Sequence, residues 1–416
     1  MNARRRLRTA LGGAGLVGIG LLVGQGAVVL TTPLVARLYG PAALGDATVF
    51  LGLTAVLSPL LTLRLELLMP AAGEGEARWL ERTGYRAALI ISFMAAVVYG
   101  ALIRPGDGVG ILFFWVASFS LGAMAVSAQS LIREQRYGRI ALGKATTGLA
   151  TAATQLGAGL RGLLSNGLEL GYAVGYLSSF VVQRAGRRAR PDVVGRPPSA
   201  ERHTLLASGL RLALAGVMNV MSLWLILFAV RLHFGDHEAG LYSAVFRVLI
   251  TPVGLVTASL LPLVTGGVGA AVRNGRTVGG PTRRWLRLLL PVGLLVTVTL
   301  WLVPGSWLVL LFGPEFEGVG VYTRALAFFV GAQILAGPLG QLLVVLGRPR
   351  TQLAWDACRF GSLVALSVAA PWIFADAASM VVALASVLGV CYLAYLALVL
   401  QSARAHDLSL SPAGSA

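Results

Sequence analysis

The sequence predicts an all-α integral membrane protein with about twelve transmembrane helices in two six-helix bundles. Three observations support this fold class. Hydrophobic residues occupy 56% of the 416 positions and charged residues only 12%, a balance unlike that of a soluble domain. The apolar residues form continuous segments of about the 20 residues that a membrane-spanning helix needs. One long polar insertion divides these segments six and six.

The twelve apolar segments are predicted as helices because they lack the two-residue alternation of an outer-membrane strand. The basic stretch Arg4-Arg5-Arg6-Leu7-Arg8 resembles the start of a secretory signal. The apolar run continues to Ala36 without a small-residue cleavage site, so we expect a retained first span. In chain order, the predicted spans are residues 11–36, 43–70, 84–103, 109–131, 140–160, 163–183, 208–233, 239–266, 286–303, 322–346, 353–374 and 378–402.

The distribution of basic residues predicts the orientation, because cytoplasmic loops carry an excess of Lys and Arg. If the N-terminus is cytoplasmic, 27 of the 34 Lys and Arg residues lie in inner segments or at their helix ends. We therefore expect a multi-pass membrane protein with both termini in the cytoplasm. The net charge of +17 then mainly reflects basic residues that orient the protein in the membrane, and no nucleic-acid partner is expected.

Two features divide the chain into similar halves. The predicted parts are an N-terminal bundle (1–183), a basic cytoplasmic linker (184–207), a C-terminal bundle (208–403) and a tail (404–416). The first span ends in RLYGPAALG and the seventh in RLHFGDHEAG, and each contains an Arg-Leu pair followed by two glycines five residues apart. Because each half has an even number of spans, a pseudo-twofold axis along the membrane normal is expected.

Three of the charged residues inside the predicted spans are candidates for a functional role: Arg64, Glu66 and Arg247. Arg64 and Glu66 are about 200° apart around a helix, so each needs its own partner. An unpaired guanidinium in hydrocarbon is costly, so we expect Arg64 to face a wet cavity or a carboxylate. Glu66 lies near the cytoplasmic end, where it reaches water or loop arginines, and is also the candidate coupling acid. Arg247, about 10 Å into the eighth span, is the strongest candidate for a functional residue.

Polar amides and one outer arginine complete the candidate cavity. Gln25, Asn219, Gln333 and Gln341 lie in the first, seventh and tenth spans. Membrane-embedded amides either bridge helices or hydrogen-bond sugar hydroxyls, and bridging is the commoner role for any single amide. Of these residues, Gln25, Asn219 and Gln341 join Arg37, Arg64 and Arg247 as the predicted substrate-binding set.

Other short patterns do not predict catalysis, a cofactor or a metal. Gly138 to Lys144 has the spacing of a phosphate-binding loop, but Ala145 stands where Ser or Thr is needed, and no strand precedes it. His233 and His237 have i,i+4 spacing, but Gly235 breaks the helix that would align them. Cys358 and Cys391 lack CxxC spacing and are expected to fill core space. We therefore predict a protein that is not an enzyme.

Residues 10–400 resemble the Wzx-type oligosaccharide flippases. Six stretches carry the resemblance, and they occur in the same order along the chain as in that family. This family belongs to the multidrug, oligosaccharidyl-lipid and polysaccharide exporter superfamily. The set is specific as a whole, although no stretch is specific alone. The stretches are ARLYGPAALGDATVF, LRLELLMP, QSLIREQRYGRIAL, EAGLYSAVFRVLITPVGLV, LLFGPEFEGVGVYTRALAF and GPLGQLLVVLGRPR.

The resemblance implies a V-shaped pair of bundles in the bacterial inner membrane. They pass a polyprenyl-pyrophosphate-linked oligosaccharide from the cytoplasmic to the outer leaflet. The lipid tail stays in the bilayer, and polysaccharide polymerase or assembly proteins are the further expected partners. Guanidinium groups form bidentate contacts with phosphate, a role that Arg64 and Arg247 can fill.

Several alternatives remain open. A cation-coupled multidrug antiporter of the same fold needs a membrane-embedded acid that titrates, such as Glu66 or Asp356. Drug-exporting relatives often carry an acid in the first span, and none occurs here between Gly12 and Ala36. A peptidoglycan-precursor flippase, a major-facilitator carrier and a non-transporting scaffold are the other readings. The loop PAAGEGEARWLERTG lacks the Gly-Asp-Arg pattern of the major-facilitator carriers.

Overall fold

The computed structural model describes residues 3–69, 72–162, 166–185 and 198–410. Within these residues the chain is helical and contains no β-strand. The helices are α1 (Ala3–Leu61), α2 (Glu74–Leu102), α3 (Gly108–Arg133), α4 (Tyr137–Leu160), α5 (Gly167–Arg184), α6 (Ser199–Arg273), α7 (Gly279–Leu302), α8 (Gly305–Phe312), α9 (Val319–Ala336), α10 (Leu342–Val345), α11 (Pro349–Ile373) and α12 (Ala377–Leu410).

The all-α membrane fold predicted from the sequence is confirmed. Eight helices of the described chain are long and apolar enough to cross a membrane. Two of them, α1 and α6, are long enough for two predicted spans each, and both break at a glycine. Gly40 has φ 75° and Gly235 has φ 87°, a region that favours residues without a Cβ. The two repeated segments that end the first and seventh spans therefore make the same kind of break.

The chain divides into two compact units, residues 1–221 and 222–416. The first unit takes in the beginning of α6, up to Met221, although the sequence places this segment in the C-terminal bundle. Most of the predicted linker, residues 186–197, lies outside the described residues, as do residues 411–416 of the tail.

Small residues bring the helices of the first unit close together. A Cβ on Gly20 or Gly148 would overlap backbone atoms of the facing helix, Ala141 of α4 and Gly24 of α1 respectively. On α5, Gly171 and Gly175 face the side chains of Gln155 and Thr151 on α4. Gly20 and Gly24 are four residues apart, as are Gly171 and Gly175, and both pairs lie at helix contacts, which small residues permit in membranes.

In the second unit, α9 occupies the centre. Fourteen of its eighteen residues are buried, and it packs against α7 and α12. A Cβ on Gly331 would lie 3.0 Å from the carbonyl oxygen of Gly293 on α7. The Thr297 hydroxyl donates to the carbonyl of Gly293 at 2.9 Å and lies 3.3 Å from the carbonyl of Ala327, so polar contacts join α7 and α9.

One aromatic residue follows each glycine break and anchors a ring cluster. Phe50 packs edge-on against Phe114 at 5.4 Å between centroids and stacks near Tyr172. Phe246 packs against Trp224 at 5.1 Å and lies 5.9 Å from Tyr242. The two halves thus repeat both the break and the aromatic residue that follows it.

Candidate functional site

The segment after α1 carries Arg64 and Glu66. α1 ends at Leu61, and Leu63 and Arg64 then adopt left-handed backbone conformations with φ of 51° and 53°. A short 3₁₀ helix, Leu65–Leu68, follows. The expectation that both charges lie on a continuous helix reaching residue 70 is therefore wrong. Left-handed residues commonly end helices, but the position is usually glycine, so the sequence carried no sign of this turn.

The guanidinium of Arg64 lies beside the first part of α6, within the first unit. A Cβ on Gly216 would be 3.0 Å from Nη2 and 3.1 Å from Nε of Arg64, and 2.9 Å from Cβ of Pro59. Nε is buried and makes no hydrogen bond within the described chain. Asn219 follows Gly216 by three positions, which lie on neighbouring parts of a helix surface. Two of the predicted site residues, Arg64 and Asn219, are therefore brought to the same region.

Glu66 is buried, with 4% of its surface exposed. Its Oε2 accepts a hydrogen bond of 2.5 Å from the hydroxyl of Thr62. The expectation that this carboxylate reaches water is wrong, because the 3₁₀ turn directs it inward. Buried carboxylates need such donors, since an unsatisfied buried charge is costly.

Arg133, at the end of α3, hydrogen-bonds the segment that follows the 3₁₀ helix. Its Nη1 donates to the carbonyls of Met69 at 2.9 Å and Ala72 at 2.5 Å. Its Nη2 bonds Glu74 at 2.9 Å. One arginine thus binds two carbonyls of the segment that follows the 3₁₀ helix and a carboxylate in the first turn of α2.

Arg247 lies in the part of α6 that follows the break at Gly235. Twelve residues separate the two positions, about 18 Å along a helix. The side chain is 5% exposed, so it is a deeply buried cation in an apolar helix. Arg247 and Arg64 belong to different units.

The remaining predicted residues occupy different surroundings. Gln25 is half-buried on α1, Arg37 is exposed just before the Gly40 break, and Gln341 is exposed before α10. Gln333 is buried in α9, and its Oε1 has no hydrogen-bond partner within the described chain.

Sequence reasoning missed Arg359, which counted only among the basic residues at cytoplasmic helix ends. Its side chain is 2% exposed. Nη2 forms an ion pair with Asp356 at 3.1 Å, and the guanidinium carbon lies 4.4 Å from the Trp355 ring centroid and 5.8 Å from that of Tyr392. The i,i+3 and i,i+4 spacings of Asp356 and Trp355 before Arg359 were the available signal.

Sequence reasoning also missed a cluster of charged residues around Arg104, in the first unit. Arg104 pairs with Asp46, with Asp107 at 3.4 Å and with Glu169 at 3.4 Å. These carboxylates come from α1, from the N-cap of α3 and from α5. The cluster ties four segments together around one cation, which fits a structural role. Within the described residues, no group of three or more His, Cys, Asp or Glu side chains has the arrangement of a metal site.

Comparisons with known proteins concern the fold. No protein-family model matches the sequence, and no curated protein matches it. Among solved structures, an inward-facing multidrug resistance MATE family transporter of the MOP superfamily is similar with a TM-score of 0.60 and 12% identity, over 97% of this chain and 96% of that chain. An outward-facing structure of a multidrug resistance MATE family transporter has a TM-score of 0.58 and 15% identity, over 97% of both chains.

A MOP superfamily transporter from Pyrococcus furiosus is similar at a TM-score of 0.60 and 15% identity, over 96% of both chains. Its binding pocket is described as having a reversed polarity that suggests a different function. Identities of 12–15% bear on fold alone, but the likeness covers nearly the whole chain. The protein is therefore a multi-pass membrane protein with the fold of the MATE transporters of the MOP superfamily.

Proposed function

We propose that this protein is a flippase that moves polyprenyl-pyrophosphate-linked oligosaccharide from the cytoplasmic to the outer leaflet of the bacterial inner membrane. Cell-surface polysaccharide biosynthesis would use the product. The observation that carries the proposal is the sign of the charge placed among apolar helices. Arg64 and Arg247 are cationic, and the buried Nε of Arg64 has no hydrogen-bond partner in the described chain. An anionic headgroup supplies the acceptor that such a donor needs.

The proposal divides the substrate between two environments. The polyprenyl chain stays in the lipid, so no apolar surface has to be transferred to water. The pyrophosphate and sugars need polar walls, and bidentate guanidinium contacts remain favourable when water is removed. Asn219, near Arg64, and Gln25 are the amides that we assign to sugar hydroxyls. For the Pyrococcus furiosus transporter, the reverse polarity of the binding pocket is described as suggesting a different function, which supports the idea that this fold serves more than one function.

A cation-coupled multidrug antiporter is the second candidate. The similar solved structures include multidrug resistance MATE transporters, and this favours antiport at least as directly as the arginines favour flipping. Antiport also needs an acid that gains and loses a proton or a metal cation. Glu66 is the candidate, because its carboxylate is buried and its one described side-chain donor is Thr62.

A deletion strain separates the candidates. We expect loss of the gene to trap lipid-linked oligosaccharide on the inner leaflet, and we expect wild type to restore its transfer. Arg64→Ala and Arg247→Ala, at matched expression, should restore it poorly, whereas Arg86→Ala, an exposed arginine on α2, should restore it fully. Normal surface polysaccharide in the deletion strain, together with sensitivity to cationic drugs, would favour the antiporter. A lipid precursor of peptidoglycan as the trapped species would keep flipping and change the cargo.

A further inference from the structure

The beginning of α6 makes an unusual contact with the turn that carries Arg64. Gly209 and Gly216 lie seven residues apart, on one face of the helix. A Cβ on Gly209 would be 2.5 Å from the carbonyl oxygen of Leu63 and 2.8 Å from Cδ2 of Leu65. A Cβ on Gly216 would press on the guanidinium of Arg64. Both glycines therefore permit an approach that a side chain would allow only after a local shift of the helix or the turn.

An apolar contact extends this docking by another turn of the helix. Leu205 and Leu206 of α6 pack against a buried cluster. The cluster consists of Leu65, Met69, Leu80 and Val126. The contact surface therefore runs from about residue 205 to 216, roughly 16 Å of helix.

The turn beneath this surface is strained. Leu63 and Arg64 have positive φ without being glycine, a conformation that is unfavourable for residues with a Cβ. Backbone of this kind persists only where its surroundings hold it, and it is typical of switch regions. Here the surroundings include the glycine face of α6.

The same helix continues without interruption into the second unit. Contacts assign residues up to Met221 to the first unit and residues from Ser222 onward to the second. The described backbone of α6 is helical through this boundary, and its break lies later, at Gly235. A helix is stiff over such a length, so residues 199–221 leave the turn either by bending α6 or together with the helical residues that follow them.

We propose that Gly209 and Gly216 form a latch that holds α6 on the Leu63–Leu65 turn in one state of transport and releases it in another. The inference rests on the proposed transport function. In the closed latch, Gly216 positions the Arg64 guanidinium. Release removes the support of the strained turn, so the Arg64 side chain and the backbone beneath it change together. A ligand on Arg64 and the position of α6 are thereby coupled.

A disulfide between Leu65→Cys and Gly209→Cys tests the latch. The ideal Cβ of Gly209 lies 3.5 Å from Cγ of Leu65, which puts the two positions within disulfide range. The background carries Cys358→Ser and Cys391→Ser, which remove the two native thiols. Oxidation should abolish the transport that the double-cysteine variant shows under reducing conditions, and reductant should restore it. Each single-cysteine variant should transport at the same rate with and without oxidant. A complete cross-link with undiminished transport, or thiols that fail to cross-link, would overturn the latch.

A second readout does not depend on the substrate. Leu65 and Ala88 are both 0% exposed, but only Leu65 faces α6 across the latch. In membranes, a water-soluble maleimide should label Leu65→Cys at least tenfold faster than Ala88→Cys. Equal protection of the two cysteines would contradict opening, whatever the cargo. Fast labelling with no transport of lipid-linked oligosaccharide would support the latch and contradict the proposed flippase.

Discussion

The guanidinium of Arg359 lies between its counter-ion Asp356 and the ring of Trp355, with 3.1 Å to the carboxylate and 4.4 Å to the ring centroid. Trp355 is fixed in turn, because its Nε1 donates to the carbonyl of Cys391 on α12 at 2.8 Å. An ion pair and an aromatic face together hold a charge that hydrocarbon would otherwise exclude.

Removing this cation should destabilise the second unit. Arg359→Ala leaves Asp356 without its described ion-pair partner, and we expect a loss of about 3 kcal/mol in unfolding free energy. That loss corresponds to about 6 °C or more in Tm. Tryptophan fluorescence during heating of the purified protein measures it. The matched control is Arg350→Ala, an exposed arginine on the same helix; equal Tm values for the two variants would refute the structural role of Arg359.

The glycine contact between α1 and α4 gives a second prediction. Gly148→Ala places a methyl group against the Gly24 carbonyl, so the helices must separate, and we expect about 1–3 kcal/mol of destabilisation. Gly157→Ala on the same helix meets nothing within 4 Å and should be neutral or slightly stabilising. Monodisperse yield and Tm in detergent report the difference. If both variants behave like wild type, the close approach of α1 and α4 is wrong.

Arg133 gives a third prediction, about local stability. Arg133→Ala removes the donors to the Met69 and Ala72 carbonyls and the pair with Glu74. At about 2 kcal/mol for hydrogen bonds to a charged group, backbone amides of residues 65–69 should exchange about 30-fold faster. Hydrogen exchange with mass spectrometry checks this, with Arg86→Ala as the surface control. Unchanged exchange would mean that the turn is held by α6 and the apolar cluster alone.

Glu66 distinguishes the two candidate functions. Glu66→Gln keeps an oxygen that can accept from Thr62 but cannot ionise. For a flippase that recognises its cargo through arginines, flipping should stay within about twofold of wild type. For a cation-coupled antiporter, drug efflux driven by a proton or sodium gradient should be lost. Thr62→Val, which removes the donor to the same carboxylate, controls for local disruption.

Some features of the fold were predictable from residue patterns alone. Most of the twelve apolar segments lie within described helices, because span length is set by the thickness of the membrane. The second ends in the turn at Leu63 and Arg64, and the tenth is interrupted after Ala336. The two repeated segments predicted equivalent turns, and both contain a glycine with positive φ, Gly40 and Gly235. These turns can be predicted from the sequence because glycine adopts positive φ without strain.

Features that depend on tertiary contact were not predictable. The left-handed pair Leu63 and Arg64 has no glycine to mark it, and its conformation depends on α6, distant in sequence. Arg359 resembles a residue of a cytoplasmic helix end until its neighbours Trp355 and Tyr392 are placed around it. Substrate roles for Arg64 and Arg247 remain predictions, because burial shows where a cation lies and a transport assay shows what it binds.

A flipping assay in proteoliposomes tests the central claim most directly. Vesicles containing purified protein and a labelled polyprenyl-pyrophosphate-linked oligosaccharide are treated with an impermeant glycosidase, which digests only the outer leaflet. Wild type should make nearly all of the lipid accessible, whereas empty vesicles release about half. Arg64→Ala and Arg247→Ala should slow the second half about tenfold or more, as expected for losing a charge-assisted contact, and Arg86→Ala should not. Wild-type vesicles that match empty ones, while a proton or sodium gradient drives efflux of a cationic dye, would contradict the flippase and establish the antiporter.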